Sequence, residues 1–126
     1  MVDTNILLVD DDEDYCASMS DVLSDLGYTL NRAHDGIGAL ELAGWHQYRL
    51  ALLDYNMPGM NGVQLCRRLK TCQANIVVAL LTAFSSVTMS GEATEAGVRR
   101  CLLKPVNFGV LVPFVGESVG AGCGMN

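Results

Sequence analysis

Four short apolar runs in this chain each end in a residue that can do chemistry. Ile6-Leu7-Leu8-Val9 runs into Asp10 and Asp11, and Leu50-Ala51-Leu52-Leu53 into Asp54. Ile76 to Leu81 runs into Thr82, and Cys101-Leu102-Leu103 into Lys104. Continuous apolar runs of this length suit strands covered on both faces. Tyr28 to Ala33 reads as a further strand. Between the strands the spacing turns helical. Cys16, Met19, Val22, Leu23 and Leu26 share one face with Gly27 as a stop, and Asp35 caps a second helix holding Ile37, Ala39, Leu40 and Leu42 that ends near Gly44. Pro58, Gly59 and Gly62 make 55–62 a loop, after which Val63, Leu65, Cys66 and Leu69 begin a third helix. A fourth helix falls between Ser86 and Ala96. Strands alternating with helices predict βαβ units and a parallel sheet, in which ligands bind outside the carboxyl ends of the strands.

The 126 residues allow one domain, half of them are hydrophobic, and 17% are charged, a composition that builds a core without staples. Five cysteines, an odd number without a CxxC pair, indicate neither a disulfide framework nor a zinc site. Cys16, Cys66 and Cys101 sit among apolar neighbours and read as structural thiols. The longest apolar run is too short to cross a bilayer and the N-terminus is acidic, so a cytoplasmic protein without membrane contact is expected. Eight basic against fourteen acidic residues give a net charge of −6, which opposes direct nucleic-acid binding.

The acids are concentrated. Asp10 to Asp14 are five in a row, and mutual repulsion demands either a solvated helix start or a cation. Asp12, Glu13 and Asp14 suit the first turn of a helix. Asp10, Asp11 and Asp54 offer clustered hard oxygen ligands of the kind Mg²⁺ takes. Asp54 directly follows an apolar strand, which puts its carboxylate at the sheet edge as a candidate nucleophile for phosphoryl transfer. The Lys104 ammonium and the Thr82 hydroxyl would serve the phosphoryl oxygens. His34, Trp45, His46 and Tyr48 show no catalytic spacing and read as core-edge or surface residues.

These motifs resemble those of response-regulator receiver domains. The first strand with its acidic pair, Asp54-Tyr55-Asn56-Met57-Pro58-Gly59-Met60-Asn61-Gly62, Leu81-Thr82-Ala83 and Leu103-Lys104-Pro105 occur in the family's order from about Asn5 to about Phe108. The resemblance implies a flavodoxin-like, doubly wound five-stranded parallel sheet of order 2-1-3-4-5 with helices on both faces. Residues 1–119 are taken as the receiver domain, and 120–126, which have no packing pattern, as a frayed tail. The resemblance also implies that Asp54 is the phosphorylated aspartate and that Mg²⁺ is the cofactor, held by Asp10, Asp11, Asp54 and the Asn56 backbone carbonyl. Thr82 and Lys104 would contact the phosphoryl group, and Lys104–Pro105 would be a cis peptide. The chain would be no enzyme beyond its own phosphorylation and dephosphorylation. Its partners would be a sensor histidine kinase or histidine phosphotransfer protein and an unknown downstream protein.

Two features depart from that pattern. Cys101 stands three residues before the lysine, where receivers usually carry Tyr or Phe. The last segment, Val110, Leu111, Phe114 and Val115 opened by Asn107, contains Gly109, Pro113 and Gly116, so a short or kinked helix is expected. A stand-alone receiver that changes protein–protein binding is therefore weighed against a degenerate receiver acting as a phosphorylation-independent interaction module. A haloacid-dehalogenase type phosphatase is rejected, because Asn56 stands where its second aspartate would be and no substrate-capping domain is present.

Overall fold

The computed structural model describes residues 2–3 by backbone alone, 6–83 and 91–119. Five parallel strands form the sheet: β1 (Ile6–Val9), β2 (Leu30–Ala33), β3 (Leu50–Asp54), β4 (Val77–Thr82) and β5 (Val98–Leu103). Their spatial order is 2-1-3-4-5. Val2–Asp3 pairs with His46–Gln47 as a separate two-stranded ladder.

Side-chain alternation along the strands feeds two cores, one on each face. Leu7, Val9, Ala51 and Leu53 pack with α2 (Gly36–Trp45), α3 (Gly62–Cys72) and α4 (Gly91–Ala96). Ile6, Leu8, Leu50 and Leu52 pack with α1 (Glu13–Asp25) and α5 (Phe108–Val119). Burial on both faces is why these strands read as unbroken apolar runs.

The helix ends follow the sequence signals. Asp35 caps α2 through its side chain as expected, while Asp12, expected in the first turn with Glu13 and Asp14, is instead the N-cap of α1. Gly27, at φ +96°, closes α1 in a Schellman motif, its N–H reaching the Ser24 carbonyl and that of Tyr28 the Leu23 carbonyl. Asn61 and Gln64 form a reciprocal capping box at the start of α3.

Three boundaries differ from expectation. β2 begins at Leu30 rather than Tyr28. β5 begins at Val98, three residues early, because its outer residues Arg99 and Arg100 are exposed on an edge strand and hide the apolar signal. A register shift between Val78 and Ala79 leaves Arg99 without a pairing position. α5 is not short. It runs 12 residues through Pro113, and Asn107 caps the Gly109 N–H. The carbonyl that Pro113 fails to serve belongs to Gly109, and both residues are exposed, so water can reach it. An interior proline costs about 3 kcal/mol, whereas each fully buried large apolar side chain contributes roughly 1.5–3 kcal/mol. Leu111, Phe114, Val115 and Val119 are all buried, and their face outweighs the proline. The expected fourth helix is described only from Gly91, and its earlier part and the tail 120–126 lie outside the described residues.

Candidate phosphoacceptor site

The five-stranded order sets the ends of β1, β3, β4 and β5 side by side. Asp10 follows β1 and is fully buried. One of its carboxylate oxygens accepts the Asp12 N–H at 2.9 Å, and its carbonyl faces the Cys16 thiol. Asp54 closes β3 opposite Leu81 of β4 and is also buried. Thr82, the next residue of β4, is buried and pairs with Leu103, and its carbonyl accepts the Lys104 N–H at 2.7 Å. Asp11 is exposed.

These placements bring the acids together. Carboxylate oxygens of Asp10, Asp11 and Asp54 lie within 4.8 Å of one another. The Lys104 ammonium donates to Asp10 at 2.6 Å and stands 3.3 Å from Asp54. Burial, then the Asp10 charge, push the Asp54 carboxyl up to about 6 against the pull of Lys104 and the Asn56 N–H. Burial alone would lower the Lys104 ammonium, but its hydrogen bond to Asp10 and the two carboxylate charges raise it. With all groups ionised, three negative charges face one positive. The donor set is all oxygen, which fits a hard divalent cation and no soft one.

The loop after Asp54 is held tightly. The Tyr55 N–H donates to Leu81 and the Gly62 N–H to Tyr55. A Cβ at Gly62 would sit 2.8 Å from the Asp54 carbonyl oxygen and 2.7 Å from Leu80 Cδ2, so only glycine lets α3 start this close to the end of β3. Lys104–Pro105 is cis.

Residues 6–115 match the family described as "Response regulator receiver domain". The chain belongs to that family. The receiver is 34% identical to "Transcriptional regulatory protein ZraR" of Klebsiella oxytoca over 91% of its own length but only 26% of that relative's. It is 32% identical to "Sporulation initiation phosphotransferase F" of Bacillus subtilis, over 83% of this chain and 85% of that one. Among solved structures, a CheY-like receiver domain protein from Methanospirillum hungatei superimposes with a TM-score of 0.86 at 26% identity, covering 94% of both chains.

One residue of the receiver's site was not legible in the sequence. Tyr15, in the first turn of α1, lays its ring against the Lys104 ammonium, 4.7 Å from the centroid. Its position extends the apolar stripe of α1 that holds Met19 and Val22, so helical spacing reads it as a core-edge residue and gives no sign of its contact with Lys104. His34 and Trp45 are exposed and Tyr48 is buried, and none of them belongs to the carboxylate cluster.

Proposed function

We propose that Asp54 accepts a phosphoryl group from a phosphohistidine of a sensor histidine kinase or histidine phosphotransfer protein. The observation that carries this reading is the Lys104 ammonium set between Asp10 and Asp54 in a cluster that still holds excess negative charge. A carboxylate oxygen of Asp54 attacks phosphorus, the P–N bond breaks, and the imidazole nitrogen leaves with its electron pair and takes up a proton. Lys104 faces the developing charge on one phosphoryl oxygen, and the Thr82 hydroxyl donates to another. Asp10, Asp11, Asp54 and the Asn56 carbonyl would hold Mg²⁺, which when bound neutralises phosphoryl oxygens. The Bacillus relative is named a phosphotransferase and is matched over most of its length, which supports a receiver that works without an attached output domain and acts by changing protein–protein binding.

Retention of all the charged groups favours this over a phosphorylation-independent module. With Mg²⁺ and acetyl phosphate, intact-mass spectrometry should show one added phosphoryl group, absent in Asp54→Asn and reduced at least tenfold in Asp11→Ala. Equal labelling of Asp54→Asn and the native chain would overturn the assignment.

A further inference from the structure

Lys104 sits on a flexible four-carbon stem, and contacts to two carboxylates leave room for that stem to take more than one path to them. A third contact narrows the choice. The Tyr15 ring lies 4.7 Å from the ammonium, and the Tyr15 hydroxyl accepts the Val106 N–H at 3.4 Å. One side chain thus touches both the cation and the backbone two residues beyond it. Its own backbone is fixed in turn, because the Tyr15 N–H donates to the capping carboxylate of Asp12 at 3.1 Å.

The chemistry of the contact suits its surroundings. The negative face of an aromatic ring attracts a cation without carrying charge. A carboxylate at this position would add a fourth anion to a cluster that already holds three. The Lys104 side chain is only 19% exposed, and the Tyr15 ring is one of the groups that cover it.

We propose that Tyr15 is a positioning residue for Lys104: its ring face, carried on α1, holds the ammonium toward Asp54. The proposal rests on the reading that Lys104 serves the phosphoryl group on Asp54. It concerns the ring rather than the hydroxyl, so Tyr15→Phe should behave nearly as the native chain and Tyr15→Leu should not.

Two measurements test it. In acetyl phosphate titrations with Mg²⁺, Tyr15→Leu should lower the maximal phosphorylation rate about fivefold while the half-saturating donor concentration stays within about twofold, and Tyr15→Phe should stay within about twofold in both. In metal-free protein, ring shielding should move the Lys104 ε-methylene proton resonances upfield in the native chain and in Tyr15→Phe, and not in Tyr15→Leu. An unchanged rate in folded Tyr15→Leu, or an equal loss in Tyr15→Phe, would overturn the proposal while leaving the Asp54 assignment intact. If the native chain takes up no phosphoryl group, the Asp54 assignment fails, and the resonance positions still decide whether the ring holds Lys104. Unshifted native resonances overturn the proposal outright.

Discussion

Two buried polar clusters occupy opposite ends of the same sheet. At the amino ends of β3 and β4, Gln73 accepts the Tyr48 N–H at 2.9 Å and donates to the carbonyls of Ala43 and His46 at 3.0 and 2.6 Å. At the carboxyl ends, Asp10, Asp54 and Lys104 meet. Burial does not tell them apart, for Gln73 and Asp54 are each 6% exposed. Nor does hydrogen bonding, since no buried side-chain nitrogen or oxygen among the described residues lacks a partner. Charge separates them. The Gln73 cluster is neutral and complete in itself, whereas the acidic cluster, with its carboxyls ionised, keeps a surplus of negative charge that a proton or a further cation can offset. A satisfied neutral cluster ties loops together, and a satisfied but charged one is poised to bind.

The comparison can be broken most directly from the neutral end. Gln73→Leu should cost about 3 kcal/mol, because the Tyr48 N–H and two carbonyls lose their partner at once, read as a lower midpoint in denaturant unfolding. Phosphoryl uptake on Asp54 should survive in the folded fraction. A loss under about 1 kcal/mol would mean that the cluster is not the tie described here.

At the charged end the expected sign is opposite. Asp54 has a folded-state value near 6 against an ordinary 3.8. Below the ordinary value both folded and unfolded chains hold the proton. As pH rises from about 4 to 6 the unfolded chain releases it first, so the native state loses stability, by about 2 kcal/mol. In metal-free buffer, Asp54→Asn should remove this decline and melt higher than the native chain at pH 7. Parallel melting-temperature profiles for the two proteins would show that the acidic cluster carries no surplus.

The smallest effect sharpens the contrast. At tenfold excess over its dissociation constant, Mg²⁺ should stabilise the native chain by about 1.4 kcal/mol. Asp11→Asn should lose most of that increment, and Gln73→Leu should keep it, as read by thermal melting with and without the ion.

What the sequence displayed depended on contrast between neighbouring residues. Asp54 and Lys104 stood out because each directly follows an apolar run, and Asp35 because it precedes a helical pattern. Gln73 gave no such sign. It follows a helix among polar residues, and its three partners come from segments 25 to 30 residues away that only the folded chain brings near. Tyr15 was hidden for a similar reason, since Lys104 lies 89 positions further along. The extension of β5 and the length of α5 were obscured by exposed Arg99, Arg100 and Pro113, whose local preferences the packing on the other face overrides.

The irregularity at Arg99 reaches further than its size suggests. Val98 packs into the core beside α3 and α4, and Leu102 into the core beside α1 and α5, although they are four residues apart. In an unbroken strand an even spacing keeps one side. The unpaired residue therefore inverts the phase of everything after it, so that Cys101 falls with Leu80, Leu102 with Leu81 and Leu103 with Thr82. Lys104 inherits that phase. The strand behaves as a counter whose start is offset by one, and the cation arrives among the carboxylates because the count is taken from the bulge and not from the first residue.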